Sequence, residues 1–475
     1  MSVARGFLWF LFNTAFVKSL TFITQLVLGW ILMPEDFGVY AIAVSIGVFI
    51  SMLRNGGIEQ VLIQKGELFT RLRTSATLYS FAFNFLGMIL LLLLAPVIAD
   101  LYNDERLFYM LVIMSLVLPI GTPAVLYRVK LSVDKRYKEL SLVRAVSSSV
   151  RQIMIVVFAI NGFGVYSFVL PMIIEVVIES LHGFYYTKLA LLTEKFNIGI
   201  VKELFVSGKW LMLTSVMLGL STTGDFFVLG LLLDKEQLGI YFFGLQIVVA
   251  IAAIFSTAIQ GVLLPALVPS VNDSDKFSAL YTQALSKIFF ITLPASIILS
   301  FVSSPFIHWA WSGKWDGAIQ VTQIMFIAMP FWLMVFLSRS SLEALGMWKR
   351  RLAYLAIYGI SSLLVATTLG SLGSILYVAI GVAVIRALIG ILQSLSIYSL
   401  IGQSCVQVVK QFSVTLFVTA VSALLAMTVF NFINTANVLA GLVIFVLIFS
   451  LLYLLLSYKF QYENLTSIAK LLRFA

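Results

Sequence analysis

Residues 33–64 read MPEDFGVYAIAVSIGVFISMLRNGGIEQVLIQ, and this stretch decides the fold. It opens on a polar turn, Pro34-Glu35-Asp36. An apolar run follows that is long enough to cross a bilayer, for which a helix needs about 20 residues. Near the far end lies Arg54-Asn55-Gly56-Gly57-Ile58-Glu59. A charge at that depth is expensive and marks a candidate functional site. The paired glycines predict a softened or broken helix, which can line a cavity but not face lipid. The opening also repeats. Met33-Pro-Glu-Asp-Phe-Gly-Val-Tyr40 aligns with Asp234-Lys-Glu-Gln-Leu-Gly-Ile-Tyr241, 201 residues later. Glu35 falls on Glu236, Gly38 on Gly239 and Tyr40 on Tyr241. Both copies sit in the turn before a long apolar span, so the repeat points to duplicated halves.

Working outward, the 475 residues are 61% hydrophobic and 11% charged, with a mean hydropathy of +1.05. Soluble domains carry about 25% charged residues. The expected class is therefore an all-α polytopic membrane protein. A transmembrane barrel would show alternating segments of ~10 residues, and the sequence has none. One cysteine, Cys405, excludes an internal disulfide and a cysteine zinc site. Two histidines, His182 and His308, argue against a histidine metal site. No P-loop or dinucleotide fingerprint occurs, so neither a cofactor nor an ATP-driven pump is expected. The net charge of +10 lies where it orients a membrane protein, and nucleic acid is not an expected partner. The apolar run after Arg5 continues to about Met33, too long for a signal peptide, and is read as the first span.

About fourteen spans are expected between residues 7 and 460, the second over 37–63 and the fourth over 106–130. Loop charge orients them. One set of loops carries Lys65, Arg71 and Arg73, then Arg128, Lys130, Lys135, Arg136 and Lys138, and later Lys349-Arg350-Arg351. The other set is short and mostly acidic, with Glu35, Asp36, Asp100, Asp104, Glu105, Asp234, Glu236 and Asp316. The positive-inside rule then puts both termini in the cytoplasm. The segment LTEKFNIGIVKE (192–203) reads as an amphipathic linker at the inner surface. Dividing there gives an N-terminal six-helix lobe (1–195), a C-terminal six-helix lobe (196–402), and a terminal helix pair with its tail (403–475).

Several of these residues are similar to those of the bacterial polysaccharide flippases of the Wzx type. That group belongs to the superfamily that also holds multidrug exporters and lipid II flippases. Leu32-Met-Pro-Glu-Asp-Phe-Gly-Val-Tyr40 resembles their opening motif. Asn55-Gly-Gly-Ile58 with Val61-Leu-Ile-Gln64 resembles their D-x-G-(L/I)…A-x-I-Q segment, with Asn55 in place of the acid. Gly162-Phe-Gly-Val-Tyr-Ser167 and Ser312-Gly-Lys-Trp315 resemble two further turns. The resemblance covers nearly the whole chain. It implies alternating access by two lobes around a central cavity, in the bacterial inner membrane. The implied cargo is an undecaprenyl-pyrophosphate-linked oligosaccharide, moved from the cytoplasmic to the outer leaflet. The expected partners are that substrate, membrane lipids and H+ or Na+ as coupling ion, with the polysaccharide polymerase machinery as an associate of a monomeric carrier. Two alternatives stand beside this reading. One is a lipid II or multidrug exporter of the same superfamily. The other is a membrane polymerase or ligase, which the very short outer loops disfavour.

Within the spans, Lys18, Arg54, Arg151 and Arg386 lie deep. They are the candidate cationic cavity for pyrophosphate, because guanidinium binds phosphate oxygens bidentately and stays charged. Arg144, Lys209, Lys287 and Arg339 lie nearer span ends and read as snorkelling cations. Arg144, Ser148 and Arg151 share one helical face. The intramembrane acids Glu59, Glu175, Glu179 and Asp225 are the candidate ion-coupling groups. Glu175, Glu179 and His182 share a face at i, i+4, i+7. The competing reading of these charges is mutual ion pairing. No residues pair as a catalytic base and nucleophile, and no catalytic site is expected. Trp30, Trp311 and Trp315 read as an outer interfacial belt.

Overall fold

The computed structural model describes residues 3–51, 57–402, 405–433, 438–462 and 464–466, and contains no strand among them. In lipid each backbone polar group must find its partner within its own segment, so the apolar runs become helices. In order these are α1 Val3–Ile31, α2 Pro34–Ser51, α3 Ile58–Lys65, α4 Phe69–Leu101, α5 Glu105–Ile120, α6 Thr122–Val133, α7 Tyr137–Ile160 and α8 Leu170–Thr187. Then follow α9 Ile198–Leu232, α10 Lys235–Leu267, α11 Ser274–Trp311, α12 Ala318–Ala344, α13 Trp348–Gly370, α14 Ile375–Leu400, α15 Cys405–Ile433 and α16 Val438–Phe460. Side-chain caps start several of them. Asp104, Asn197 and Asp273 accept from the backbone N–H of Arg106, Gly199 and Lys276.

Twelve of the described helices are long and apolar enough to span, or thirteen if α5 and α6 form one span bent by 44°. The expected second span, 37–63, lies outside that count: α2 and the short α3 are described within it, and residues 52–56 between them lie outside the described residues. Gly57 precedes α3 at φ 68°, a left-handed conformation that only glycine adopts freely, and a Cβ there would crowd the Gly208 carbonyl. Arg54 lies outside the described residues. The expected fourth span, 106–130, bends where Gly121 meets Pro123, since proline cannot donate to the preceding turn. Asn84 of α4 donates to the Thr122 hydroxyl at 2.8 Å beside the bend.

The helices form two compact units: residues 1–243 with 355–374, and residues 244–354 with 375–475. The first unit takes in α9 and most of α13. Within it α2 packs on α9. The two repeats meet there. A Cβ on Gly38 would overlap the Lys235 carbonyl, and a Cβ on Gly239 would overlap that of Pro34. Pro34 and Lys235 are themselves equivalent positions, so the contact is reciprocal. Phe37 seals it edge-on to Phe243 at 5.4 Å. In the second unit Tyr281, Phe289, Met334 and Tyr398 centre the core of α11, α12 and α14. There α15 and α16 lie on α11, with Phe301 stacked on Phe445 at 3.7 Å.

The linker expected over 192–203 is irregular up to Asn197 and passes into α9 from Ile198; Thr74 and Ser75 of α4 hold it, their hydroxyls accepting from the N–H groups of Glu194 (2.9 Å) and Asn197 (3.0 Å). One expectation changes. Trp311 and Trp315 are not interfacial, being 4% and 0% exposed, whereas Trp30 is 60% exposed. The short turn that carries Trp311 and Trp315 folds both indoles into the second unit.

Candidate functional site

The polar side chains of the first unit converge on α7 and α8. These two helices are strongly amphipathic, as the serine and arginine repeat on α7 and the glutamate repeat on α8 require. Glu175 accepts from Arg151 Nη1 at 3.2 Å and from the Ser148 hydroxyl at 3.2 Å. One turn further along α8, Glu179 accepts from Arg128 Nη1 at 2.7 Å. Arg128 also reaches Glu59 of α3, with Nη2 3.2 Å from Oε2. Arg144 approaches the other Glu59 oxygen at 3.7 Å. Three carboxylates and three guanidiniums are thus interleaved across α3, α6, α7 and α8. The Arg128 and Glu179 side chains are the most buried of them, at 13% and 10% exposure.

Between α1 and α7 lies a cavity of about 330 Å³, lined by Asn13, Thr14, Lys18, Ser141, Arg144 and Ser148, with Val17 and Ala145. Asn13 donates to the Ser141 hydroxyl at 3.3 Å across it. Lys18 makes no ion pair among the described residues, and Arg144 is half exposed, with only a long contact to Glu59. The cavity therefore offers two cations, and no carboxylate lines it. Such cations suit a phosphate or diphosphate.

The structure brings Lys18, Arg151, Glu59, Glu175 and Glu179 into this one unit around α7. It places Asp225 apart, 5% exposed on α9, where it accepts from the Tyr241 hydroxyl at 3.1 Å. Arg386 lies in the second unit, 6% exposed on α14. Its guanidinium sits 4.6 Å above the Trp332 ring and 3.7 Å from Met325 Sδ. Arg339 pairs with Glu343 at 3.0 Å. The expected face of Glu175, Glu179 and His182 divides, since His182 packs by Tyr186 instead of joining the guanidiniums. Sequence position suggests a loop charge at Arg128, yet it sits on α6 and is the hub of the network. The signal was Gly121-Thr122-Pro123, a helix break that starts a new element before Arg128. Arg144 lines the cavity on the face that it shares with Ser148.

The sequence profile of the family described as polysaccharide biosynthesis protein matches residues 27–320. The chain belongs to that family. A protein named for O-antigen transport in Shigella flexneri is 22% identical over 73% of this chain and 86% of its own length. The teichuronic acid biosynthesis protein TuaB of Bacillus subtilis (strain 168) is 24% identical, over 72% of each chain. Among solved structures, the lipid II flippase MurJ in an inward closed conformation superposes with a TM-score of 0.79 at 18% identity, covering 96% of this chain and 99% of its own. An inward-facing MATE-family multidrug transporter gives 0.64 at 13% identity, covering 82% and 94%. The fold of this family member is thus that of MurJ and the MATE transporters, and it is a multi-pass membrane protein.

Proposed function

We propose that this polysaccharide biosynthesis protein is a flippase, not an enzyme. It carries an undecaprenyl-pyrophosphate-linked oligosaccharide from the cytoplasmic to the outer leaflet of the bacterial inner membrane by alternating access. The observation that carries this reading is the Lys18–Arg144 cavity, a cationic, hydroxyl-lined pocket beside a helix pair in a transporter fold. Diphosphate is the part of such a substrate that hydrocarbon excludes most strongly, and fixed positive charge offsets that barrier. Lys18, Arg151 and Arg386, with Arg54, are the proposed diphosphate contacts. The loop charges support cytoplasmic termini, and the lobes 1–195 and 196–402 are the proposed moving bodies.

The interleaved pairs suggest how binding couples to an ion. Guanidinium held by carboxylate can exchange that partner for phosphate oxygens. Protonating Glu59, Glu175 or Glu179 would release Arg128, Arg144 or Arg151 for the substrate. Only such differential binding between states shifts a conformational equilibrium. Asp225, tied to Tyr241, is the fourth proposed coupling acid, with H+ or Na+ as the ion.

The test is a deletion strain with complementation. Lipid-linked oligosaccharide should accumulate on the cytoplasmic side, and wild-type protein should clear it. Lys18→Ala with Arg144→Ala should clear it at least tenfold more slowly. At position 151 activity should fall from Arg to Lys to Ala, as Lys keeps the charge and loses the fork. Normal surface polysaccharide in the deletion strain ends the proposal. Accumulation of lipid II instead moves it to the lipid II exporter reading.

A further inference from the structure

A second concave surface lies in the first unit, away from the α1/α7 cavity. It is a groove of about 760 Å³ between α4, the extended linker and the start of α9. Its walls are Leu78, Tyr79 and Phe83 on one side and Phe196, Val201 and Phe205 on the other. Tyr79 packs on Phe83 at 4.6 Å, and Phe83 faces Phe205 at 6.3 Å. The groove is open sideways, with Phe196 53% and Phe205 46% exposed. One charged side chain lines it, Lys202.

The charges around the rim are unequal. The nearby acids are already occupied: Glu203 pairs with Lys65, and Glu194 with Arg73 at 3.6 Å. Lys195, Lys202 and Lys209 make no ion pair among the described residues. Lys202 and Lys209 are seven residues apart on α9 and so lie on one stripe, with Lys195 in the linker just before it. An apolar channel with the Lys202 ammonium in its wall, and Lys195 and Lys209 flanking it in sequence, has the polarity of a hydrocarbon chain ending in an anion. Basic sites at the cytoplasmic ends of membrane helices bind anionic lipid headgroups.

We propose that this groove is a binding site for an anionic phospholipid of the basic-loop leaflet. One acyl chain lies along Leu78, Ala82 and Val206, over the Phe83–Phe205 pair, and the phosphate meets Lys202, with Lys195 and Lys209 flanking it in the chain. The groove shares a wall with the linker that Arg73, Thr74 and Ser75 hold to α4. The lipid therefore fastens the segment that joins α8 to α9. The site is separate from the proposed substrate cavity and does not depend on it.

The probe is phosphatidylglycerol with a photoreactive diazirine on its acyl chain, incorporated with the full-length protein in phosphatidylcholine nanodiscs. Labelling should concentrate on peptides covering residues 78–83 and 196–206. Unlabelled phosphatidylglycerol should compete at least fivefold better than phosphatidylcholine. Replacing Lys195, Lys202 and Lys209 together by Gln should cut labelling at least fivefold. Ala82→Phe, which fills the groove, should displace the acyl label while leaving the rim lysines in place. An unchanged unfolding midpoint in phosphatidylcholine shows that the variants are folded. Labelling spread evenly over lipid-facing helices such as α16, or unaffected by either substitution, overturns the proposal. Competition by a polyprenyl phosphate but not by phosphatidylglycerol also overturns it, and would make the groove a track for a prenyl tail.

Discussion

The helices α6, α7 and α8 in the first unit and α12 and α14 in the second both contain intramembrane arginine, yet they are joined in opposite ways. The first group is held by Arg128 between Glu59 and Glu179, and by Arg151 on Glu175. The second is held by close packing and hydroxyls. Gly390 of α14 lies against the Phe331 carbonyl of α12, Ser338 faces Ser394 at 3.4 Å, and Tyr281 bonds Ser338 at 3.1 Å. Arg386 there rests on the Trp332 ring. Carboxylate–guanidinium pairs can trade partners with an anionic substrate or a proton, whereas glycine–carbonyl packing cannot. The depth of an arginine in a span therefore says little about its role. What holds its guanidinium says more.

The largest effect should follow from breaking the hub. Arg128→Met leaves Glu59 and Glu179 without their main partner, and removing one member of a buried pair costs about 3–5 kcal/mol. The unfolding midpoint in detergent should fall accordingly. Adding Glu59→Gln and Glu179→Gln to that variant should recover most of the loss, because no uncompensated charge remains. If the single substitution leaves the midpoint unchanged, the network is not what joins α6 to α8. Next in size is Gly390→Ala in the second unit. Its Cβ would overlap backbone, which can yield only by moving α14, and overpacking of this kind costs about 1–3 kcal/mol. That loss should be insensitive to pH between 5 and 8, since no titrating group is involved. A pH-dependent loss would erase the distinction between the two regions.

Much of this was legible in the sequence because spans and repeats obey strong constraints. A 20-residue apolar run has one solution in lipid. The match of residues 33–40 with 234–241 points to duplication, and the structure adds that Gly38 and Gly239 each lie against the other copy. What stayed hidden depends on direction rather than on periodicity. Arg128 looked like a loop charge because the break at Gly121 was folded into one continuous span. Trp311 and Trp315 looked interfacial because chain position gives depth but not which way an indole turns. Arg151 and Arg386 looked equivalent, since sequence cannot show that one meets a carboxylate and the other an indole. Most of α13 joins the first unit by packing Gly359 and Gly370 against Leu220 and Leu229 of α9, a contact far apart in sequence.

The smallest effect sharpens the comparison from outside the spans. Asp104, in the turn between α4 and α5, accepts from Arg106 Nη2 at 2.8 Å and pairs with Lys235 Nζ at 3.0 Å. Arg106 also pairs with Glu35. This cluster joins the start of α2 to the start of α10 near the reciprocal glycines. Burial alone would push the Asp104 carboxyl up, but the hydrogen bonds from Arg106 and Lys235 outweigh it and hold the carboxyl below its ordinary range. A carboxyl whose folded pKa lies below its unfolded value, about 3.9, stabilises the fold fully above that value. The contribution is lost as pH falls through the lower, folded pKa. The wild-type unfolding midpoint should thus be flat from about pH 7 to 5 and drop below about pH 4. Asp104→Asn should lower the midpoint slightly at pH 7 and make the acid drop shallower. It should leave clearance of lipid-linked oligosaccharide near wild type, because these charges are structural and face no cavity cation. Pairing would then be common to both clusters, and exchange with a ligand would belong only to the one on α7 and α8. A transport defect in Asp104→Asn as deep as that of Arg151→Ala, with the acid profile unchanged, would show the reverse: the outer cluster would be part of the working cycle, and charge pairing would no longer separate scaffold from site.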